Sequence, residues 1–535
     1  MDNLSGMDAA FLHMETPETP MHVGGLILFE LPAGYAGDYY EDVKAHIARR
    51  MHLASVFTRK LALMPFELAN PVWVEDDDID LDYHIRRVVL SRPGTMAQVE
   101  AIVGRLHSSL LDRSRPLWEF YVIEGLQDGQ VGFYIKAHHA AMDGAAGAVL
   151  ATAILDTTAE PRTVKPPRAR RLVREPLGVA ELAGAALKNT AVQYMKLIKL
   201  LPAVAKVALK IALPPKDESG RRGPRLPKGW ALGPRTSFNV SITNQRVFAS
   251  QSLPLAEVKA LAKQLEVTLN DVVMALCSSA LRRYLEQHDG VPKKSLVAGV
   301  PVSVREAGNT DMNNQATVML VSLSTHIEDP LQRLKAINAA AVDSKRFTGS
   351  VKAAIPMDFP SFGAPWLITG VVSLLGRTKL VNSLPPVCNV VISNVPGPQV
   401  PLYLAGAKMV TNYPVSIPAH GMALNITVQS YNGSLDFGLT ACRRAVPDVR
   451  DIADHFIEAL AELKAALAAQ QAPVAAGATK KTVNGVGARA APAVLAAAAA
   501  PVASPAPKRA KAKLSVPAKT AAKRLRQAKP SGVPH

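Results

Sequence analysis

The sequence predicts a mixed α+β fold arranged in two domains. Segments that alternate apolar and polar residues, as half-buried strands do, are mixed irregularly with segments of helical periodicity. Two turn sequences, Asp128-Gly129 and Asn432-Gly433, each separate two alternating segments, which is a strong signal for a β-hairpin. The chain of 535 residues is longer than one hydrophobic core usually supports, so we expect two domains of about 200 residues each.

The periodicities place the individual elements in order along the chain. In the first half, strands are predicted at residues 23–30, 118–123 and 131–138, and helices at 96–111 and 145–155. In the second half, helices are predicted at 255–265, 270–285, 331–344 and 449–467, and strands at 295–304, 317–324, 387–393, 423–431 and 434–440.

Composition divides the chain into four parts. Residues 1–160 and 236–470 carry the predicted elements and form the candidate N-terminal and C-terminal domains. Residues 161–235 begin as a basic, proline-containing linker, in which Lys165 and Arg168 are typical members. Residues 471–535 form a tail rich in alanine, proline and lysine, and we expect this tail to be disordered.

Part of the linker has the pattern of an amphipathic helix. Within residues 181–213, five lysines fall on a stripe of roughly 80° if each residue advances about 100° around a helix. These lysines and Pro202 argue against a membrane-spanning helix. Two interpretations stay open: a helix pair that lies on a membrane or lipid surface, or a helix whose apolar face packs on the protein.

The positive charge of the chain is concentrated in the tail. Residues 471–535 contain twelve Lys and Arg and no Asp or Glu, and therefore carry most of the net charge of +17. Such a segment fits an electrostatic tether to anionic lipid or to nucleic acid, but it also fits a solvated extension without a partner. The sequence leaves these interpretations and the oligomeric state open.

Cysteine usage and the N-terminus favour a cytoplasmic protein. Cys277, Cys388 and Cys442 are widely scattered, without the paired spacing of a disulfide framework or a metal knuckle. The first residues lack a basic region followed by an apolar core, so no secretory signal is predicted. Together with the possible surface helices, this predicts a cytoplasmic protein that associates peripherally with the inner membrane or with lipid droplets.

Two adjacent histidines are the main candidates for chemistry. His138 and His139 follow a predicted strand, and Asp143 and Gly144 lead into a predicted helix. A histidine at a strand end can project into a cleft, and its unperturbed pKa of about 6.5 suits a general base. Because neighbouring strand residues face opposite sides, at most one histidine serves a given cleft, and we prefer His139. The motif alone leaves a catalytic and a structural histidine equally open.

Other chemistries find less support in the sequence. No further cluster of ligating residues lies at metal-ligand spacing near the histidines, so we expect no metal ion and no other bound cofactor. The chain contains no Gly-x-Ser-x-Gly elbow, and no cysteine adjoins a histidine in the sequence. A covalent intermediate is therefore disfavoured.

Five segments, in order along the chain, resemble one family. The His138-His139-x-x-x-Asp143-Gly144 segment is similar to the signature of the superfamily of chloramphenicol acetyltransferases, plant alcohol acyltransferases and peptide-synthetase condensation domains. The full set resembles bacterial wax ester synthase/diacylglycerol acyltransferases over residues 1 to about 470. The other four segments are Leu4-Ser5-Gly6-Met7-Asp8-Ala9-Ala10-Phe11, Pro116-Leu117-Trp118-Glu119, Asn270-Asp271-Val272-Val273 and Ser393-Asn394-Val395-Pro396-Gly397-Pro398.

The resemblance implies a fold and an activity. The fold would be two chloramphenicol-acetyltransferase-like domains that form a pseudo-dimer, with an active-site tunnel at their interface. The activity would be esterification of diacylglycerol, long-chain fatty alcohols or both, with acyl-CoA as co-substrate, to give triacylglycerol or wax esters. A carrier-dependent condensation enzyme is disfavoured by the first and last segments. A non-catalytic lipid-body or nucleoid protein that acts through its tail is the alternative of another class.

The resemblance also implies roles for single residues. His139 would be the general base for direct transfer, supported by His138, and Asp143 would orient the loop, commonly through an arginine. Asn270 is a candidate oxyanion donor, although it also fits a helix N-cap. Pro116, Leu117 and Trp118 would line the acyl channel or fix the strand beside it, and Gly144 is assigned to substrate binding. Structural roles are expected for Asp271, Ser393, Asn394, Pro396 and Gly397, and residues 365–375 fit either a channel wall or a core helix.

Overall fold

The computed structural model describes residues 2–4, 6–62, 71–142, 144–166, 232–303, 316–352, 382–383 and 385–471. These residues belong to one compact unit that ends at Ala472. Several predictions lie outside the described residues: Asp143, most of the basic linker with its amphipathic segment, the apolar segment 365–375, and the tail.

The first half of the chain mixes short helices and strands. In chain order, its elements are β1 (Asp2–Asn3), α1 (Gly6–Met14), β2 (His22–Glu30), α2 (Tyr39–Ala48), β3 (Arg59–Ala62), β4 (Val72–Glu75), α3 (Leu81–His84), β5 (Ile85–Val89), α4 (Met96–Ser108), β6 (Trp118–Glu124), β7 (Val131–His138) and α5 (Gly144–Ile154).

The second half has longer helices. Its described elements are β8 (Arg246–Pro254), α6 (Leu255–Gln264), α7 (Leu269–Gln287), β9 (Val297–Ser303), β10 (Ala316–Ser322), α8 (Pro330–Lys352), β11 (Val390–Val395), β12 (Tyr403–Leu404), β13 (Ala407–Val415), β14 (Leu424–Tyr431), β15 (Ser434–Cys442) and α9 (Val449–Gln471).

The described strands form three sheets, which confirms the mixed α+β class. One six-stranded sheet has the order β12-β13-β2-β7-β6-β5, and the other has the order β10-β9-β11-β14-β15-β8. A three-stranded sheet has the order β1-β4-β3. Most neighbouring strands are antiparallel, but β5 is parallel to β6, and β11 is parallel to both β9 and β14. Both predicted hairpins are confirmed, since β6 pairs with β7 and β14 with β15.

The two halves of the chain share one sheet. Strand β13, which follows β11 in the second half, pairs antiparallel with β2 of the first half, and Asn412 lies opposite Ile27. No local pattern in the sequence predicts this exchange. Backbone hydrogen bonds therefore join the halves directly, in addition to contacts between side chains.

A buried polar cluster also joins the halves. Glu100 of α4 accepts hydrogen bonds from the Ser250 backbone N–H at 2.8 Å and from the Ser250 hydroxyl at 2.7 Å. Arg450 of α9 donates to the same carboxylate oxygen at 2.9 Å. Because buried polar groups are costly without partners, this cluster favours one relative placement of α4, β8 and α9.

A hydrophobic core packs against each of the two six-stranded sheets. In the first half, aromatic side chains pack between the sheet and the neighbouring helices, and the rings of Phe120 and Phe133 meet edge to face at 5.3 Å. In the second half, the core lies around α7, which is buried along most of its length between the sheet and α9. Within the described part of the chain, we find no helix with the length and apolar character needed to cross a membrane.

Candidate active site

The paired histidines lie where β7 ends, as predicted. His138 is the last residue of β7 and lies opposite His22 of β2. Its backbone N–H donates to the Leu117 carbonyl at 3.0 Å, and the backbone N–H of His139 donates to the Met21 carbonyl at 2.8 Å. The carbonyls of Leu117 and Met21 thus fix the backbone of both histidines. Leu117, from the predicted channel segment, acts here through its backbone.

His139 presents a neutral imidazole that rests on an aromatic ring. The ring of Phe11, in α1, stacks on the imidazole with a centroid distance of 3.9 Å and an interplanar angle of 13°. Burial lowers the pKa of His139 to about 4, and the neighbouring His138 contributes to this shift. At neutral pH the imidazole therefore retains the lone pair that a general base requires.

His138 is fully buried and has a different environment. Its Nδ1 accepts a hydrogen bond from the Ala140 backbone N–H at 3.0 Å. In the neutral ring the proton then resides on Nε2, which lies 3.4 Å from Oε1 of Glu15. Both ring nitrogens thus face groups of the protein, as expected for a supporting residue.

Glu15 is a buried carboxylate that no sequence motif identifies. Arg113 donates to its Oε2 from Nη2 at 2.9 Å and from Nε at 3.2 Å, and the Met21 backbone N–H donates to Oε1 at 3.0 Å. Burial alone would raise the pKa of Glu15, but hydrogen bonds and charge interactions with His138 and His22 outweigh it. The resulting pKa lies well below the ordinary value, so Glu15 carries a fixed negative charge next to the histidine pair.

Two further buried histidines extend this polar layer. The ring of His22 approaches that of His138 at 6.0 Å and that of His107 at 6.1 Å, in both cases edge to face. His107 Nε2 donates to the Ser416 carbonyl at 2.9 Å, and its Nδ1 accepts from the Tyr134 hydroxyl at 2.8 Å. Because Ser416 belongs to the second half, this histidine row connects the motif with the neighbouring half.

A buried ion pair joins β7 to β6 close to the histidines, and its lysine lies two residues before His138. Lys136 is fully buried, and its Nζ lies 3.3 Å from Glu119, which also accepts from the Tyr121 hydroxyl at 2.6 Å. Burial lowers the pKa of Lys136, while the charge of Glu119 opposes this effect. The charges of Lys136 and Glu119 thus neutralise each other close to the histidines.

Trp118 lies in the hydrophobic core. Its indole Nε1 donates to the Phe57 carbonyl at 3.2 Å, and the His84 imidazole stacks on it at 4.3 Å. Pro116 precedes β6, and Gly144 begins α5. These contacts join the start of β6 to Phe57 and to His84 of α3.

The interpretation of Asn270 as a helix N-cap is wrong. Helix α7 begins at Leu269, and Thr268 is its N-cap. The Asp271 carboxylate accepts from the Thr268 backbone N–H at 2.9 Å, while the Thr268 hydroxyl oxygen accepts from the Asp271 backbone N–H at 3.2 Å. This capping box gives Asp271 a structural role in the first turn of α7, and the Asn270 side chain takes no part in the cap.

Asn270 meets another predicted segment instead. The side-chain amide of Asn394, in β11, donates to Oδ1 of Asn270 at 3.5 Å. Ser393 precedes it in the same strand, and Pro396 follows the strand end. The structure thus brings two predicted segments of the second half together, whereas Phe11, Met21 and Glu15 surround the histidines in the first half.

Gly397 has a steric reason to be glycine. Its backbone N–H donates to the Ser430 hydroxyl at 3.1 Å, and a Cβ at this position would come within 2.2 Å of the Ser430 carbonyl oxygen. A larger residue would force β11 and β14 apart at this point. The predicted structural role of this segment fits that close approach.

Among the residues described, no group of three or more His, Cys, Asp or Glu is arranged to hold a metal ion.

Two family models match most of the chain. Residues 4–273 match the wax ester synthase/diacylglycerol acyltransferase catalytic domain, and residues 312–464 match the WS/DGAT C-terminal domain. A putative diacylglycerol O-acyltransferase of Mycobacterium tuberculosis is 38% identical over 465 residues, which cover 87% of this chain and all of the relative. The O-acyltransferase WSD of Acinetobacter baylyi is 33% identical and covers 88% of this chain and 99% of its own length.

Solved structures show the same similarity. The wax ester synthase/diacylglycerol acyltransferase from Marinobacter aquaeolei superimposes with a TM-score of 0.62 at 32% identity and covers 86% of this chain and 99% of its own. The starter condensation domain of rhizomide synthetase superimposes with a TM-score of 0.50 at 12% identity, covering 87% and 94% of the two chains. The second match concerns the fold alone, and it agrees with the predicted chloramphenicol-acetyltransferase-like architecture.

Proposed function

Because the chain belongs to the wax ester synthase/diacylglycerol acyltransferase family and is an acyltransferase, we propose a specific reaction for it. It transfers the acyl group of an acyl-CoA to the hydroxyl of diacylglycerol or of a long-chain alcohol, with His139 as the general base. The products are triacylglycerol or a wax ester, together with free coenzyme A.

The proposed step needs one base and no covalent enzyme intermediate. His139 takes the proton of the acceptor hydroxyl while the oxygen attacks the thioester carbonyl, which gives a tetrahedral intermediate. Collapse of the intermediate breaks the carbon–sulfur bond, and the imidazolium returns its proton to the departing thiolate. The ester and the coenzyme A thiol leave, and His139 is neutral again.

The contrast between the two histidines is the observation that carries this proposal. His138 is fully buried, and its ring nitrogens face Ala140 and Glu15. His139 is only partly buried, and Phe11 covers one face of its ring. Since its lowered pKa keeps it neutral, His139 is ready to accept a proton without prior deprotonation.

Asn270 is the proposed donor to the developing oxyanion. Its Oδ1 faces the side-chain amide of Asn394, so its own amide nitrogen is the group left to donate. A donor that meets the negative oxygen of a tetrahedral intermediate lowers the barrier more than it strengthens substrate binding. Asn394 then acts as the residue that orients this amide.

The proposed substrates also imply a place of action. Diacylglycerol and long-chain alcohols reside in lipid phases, so we propose that the enzyme works at the surface of a membrane or lipid droplet. The amphipathic segment at 181–213 and the basic tail are the parts of the chain that suit this contact.

A direct assay tests the base. Wild type, His139→Ala and the matched control His326→Ala, which changes an exposed histidine, are purified and supplied with labelled acyl-CoA and diacylglycerol or hexadecanol. We expect His139→Ala to lose about 10²-fold or more in neutral-lipid formation, while the control retains wild-type activity. Equal product from His139→Ala and wild type would refute the proposed base.

A further inference from the structure

A groove runs along the outer face of α5, directly after the histidine motif. It has a volume of about 850 Å³, and Ala148, Val149, Thr152 and Ala153 of α5 form one of its walls. Leu53 and residues 162–166 contribute to the remaining lining. This volume lies within the range of about 300–1,000 Å³ that is usual for small-molecule sites.

A second, smaller cavity shares a lining residue with this groove. It has a volume of about 80 Å³ and is lined by Ala140 and Ala141, which directly follow His139 in the sequence. Val149 lines both spaces, and Ala54 of the cavity follows Leu53 of the groove. The groove and the cavity thus have Val149 as a common lining residue, and the cavity borders the loop that follows the proposed base.

The chemistry of the lining changes along this path. Around α5 it consists mainly of methyl and isopropyl groups, because this helix contains no charged residue. The smaller cavity adds polar residues, namely Asp8, Ser55 and Arg59. On the solvent side the exposed Arg162 and Lys165 carry positive charge, and Arg162 is held by the carbonyls of Ala153 and Leu155 at 3.0 and 3.1 Å.

We propose that the groove and the smaller cavity join at Val149 and form a binding site for an unbranched alkyl chain of one of the two substrates. The chain lies along α5, passes Val149 and brings its reacting carbon to His139. The proposal rests on the proposed role of His139. A narrow passage admits an extended polymethylene chain and excludes branched groups, and the positive rim suits the phosphates of coenzyme A or an anionic lipid surface.

All residues of this path come from the first half of the chain. The resemblance to known acyltransferases implies a tunnel between the two halves, so the α5 path is a separate approach to the same histidine. A reaction that joins two long apolar substrates benefits from two approaches, because each chain then has its own apolar surface. The chain can belong to the acyl donor or to the alcohol acceptor, and the experiment distinguishes the two.

Substitution of Val149 tests the path. Val149→Trp narrows the meeting point, Val149→Ala widens it, and Val89→Trp makes the same change at a valine that is 67% exposed on β5 and lines neither space. In one arm, acyl-CoA length varies with a short soluble alcohol. In the other arm, alcohol length varies with a short acyl-CoA. Melting temperatures confirm that each variant is folded.

We expect Val149→Trp to lower kcat/KM for long chains by about tenfold or more in one arm, with little effect on the shortest chain. The affected arm identifies the donor or the acceptor as the occupant. Val89→Trp should keep the wild-type chain-length profile, whereas Val149→Ala, which widens the meeting point, should shift the profile toward bulkier chains. A uniform loss at all lengths in Val149→Trp, or no loss in either arm, would overturn the path. The proposed base is tested separately from the path. If His139 is the base, His139→Ala should lose activity at every chain length, whatever the result for Val149. Wild-type activity in His139→Ala would refute the base instead.

Discussion

The ring of Phe11 lies parallel to the imidazole of His139, with 3.9 Å between the ring centroids. Phe11 belongs to the first helix of the chain, and His139 follows the strand that contains the motif. The stack restricts rotation of the imidazole and shields one of its faces from water. Phe11 is also the last residue of the first segment that resembles the family, so this segment contacts the proposed base directly.

Loss of this stack should reduce turnover more than substrate binding. In Phe11→Leu the site stays apolar but loses the flat ring, and a stack of this kind contributes about 0.5–1.5 kcal/mol. We expect kcat to fall by about two- to tenfold with little change in KM, and Phe11→Tyr to retain most of the activity. Steady-state kinetics of the three proteins measure this. An unchanged kcat in Phe11→Leu would show that the ring does not position the base.

The pH dependence of kcat/KM should reflect the shifted pKa of His139. The neutral form is the active one, and burial lowers the pKa of His139 to about 4. The activity should therefore stay constant as the pH falls from about 8 to 6, and decline only as it approaches the lowered pKa. An ordinary histidine would already lose activity near its unperturbed pKa of about 6.5. Circular dichroism at each pH separates this decline from acid unfolding, and a midpoint near 6.5 in folded protein would contradict the prediction.

Substitution of Glu15 should affect both stability and catalysis. Glu15→Gln keeps the shape of the side chain but removes the charge between Arg113 and the histidines. We expect a loss of about 1–3 kcal/mol in the free energy of unfolding, since Arg113 then lacks its ionic partner. Denaturant unfolding and kcat are measured for Glu15→Gln, Arg113→Met and the double variant. The effects should be less than additive, because the two residues contact each other, and full additivity would show that they act independently.

The local features of the fold could be predicted from the sequence. The predicted strand at 131–138 coincides with β7, because its residues alternate and the turn at Gly129 ends the preceding strand. Helix α8 was predicted to end at 344 but continues to Lys352. Pattern-based reasoning places such ends less well than it detects elements, because contacts from the rest of the fold decide where a helix stops.

Long-range features could not be predicted in the same way. Strand β13 pairs with β2, which lies far away in the sequence, and no local pattern specifies a partner at that distance. Glu15 is a single acid beyond the first family segment, and only the fold brings it to Arg113 and His138. Asparagine favours the N-cap position, which made Asn270 a candidate, yet Thr268 forms the capping box.

Substitutions at the start of α7 should affect stability at one residue, Thr268, and catalysis at another, Asn270. Thr268→Ala removes the cap and should lower the free energy of unfolding by about 1 kcal/mol, with a small effect on kcat. Asn270→Ala should leave stability nearly unchanged and lower kcat by about 10²-fold if its amide binds the oxyanion. Thermal unfolding and steady-state kinetics measure both. Wild-type kcat in Asn270→Ala would remove Asn270 from the proposed mechanism.

Removal of the basic tail should weaken contact with anionic lipid but leave the chemistry intact. Residues 472–535 contain twelve Lys and Arg and no acidic residue, whereas the described part of the chain ends at Gln471 of α9. Basic residues near an anionic surface contribute about 1 kcal/mol each, and salt screens this attraction. The truncated protein should turn over a short soluble alcohol like wild type, yet sediment less with anionic vesicles, with the larger difference at low salt. Neutral vesicles are the control, and equal sedimentation of both proteins with anionic vesicles would dismiss the tail as a lipid tether.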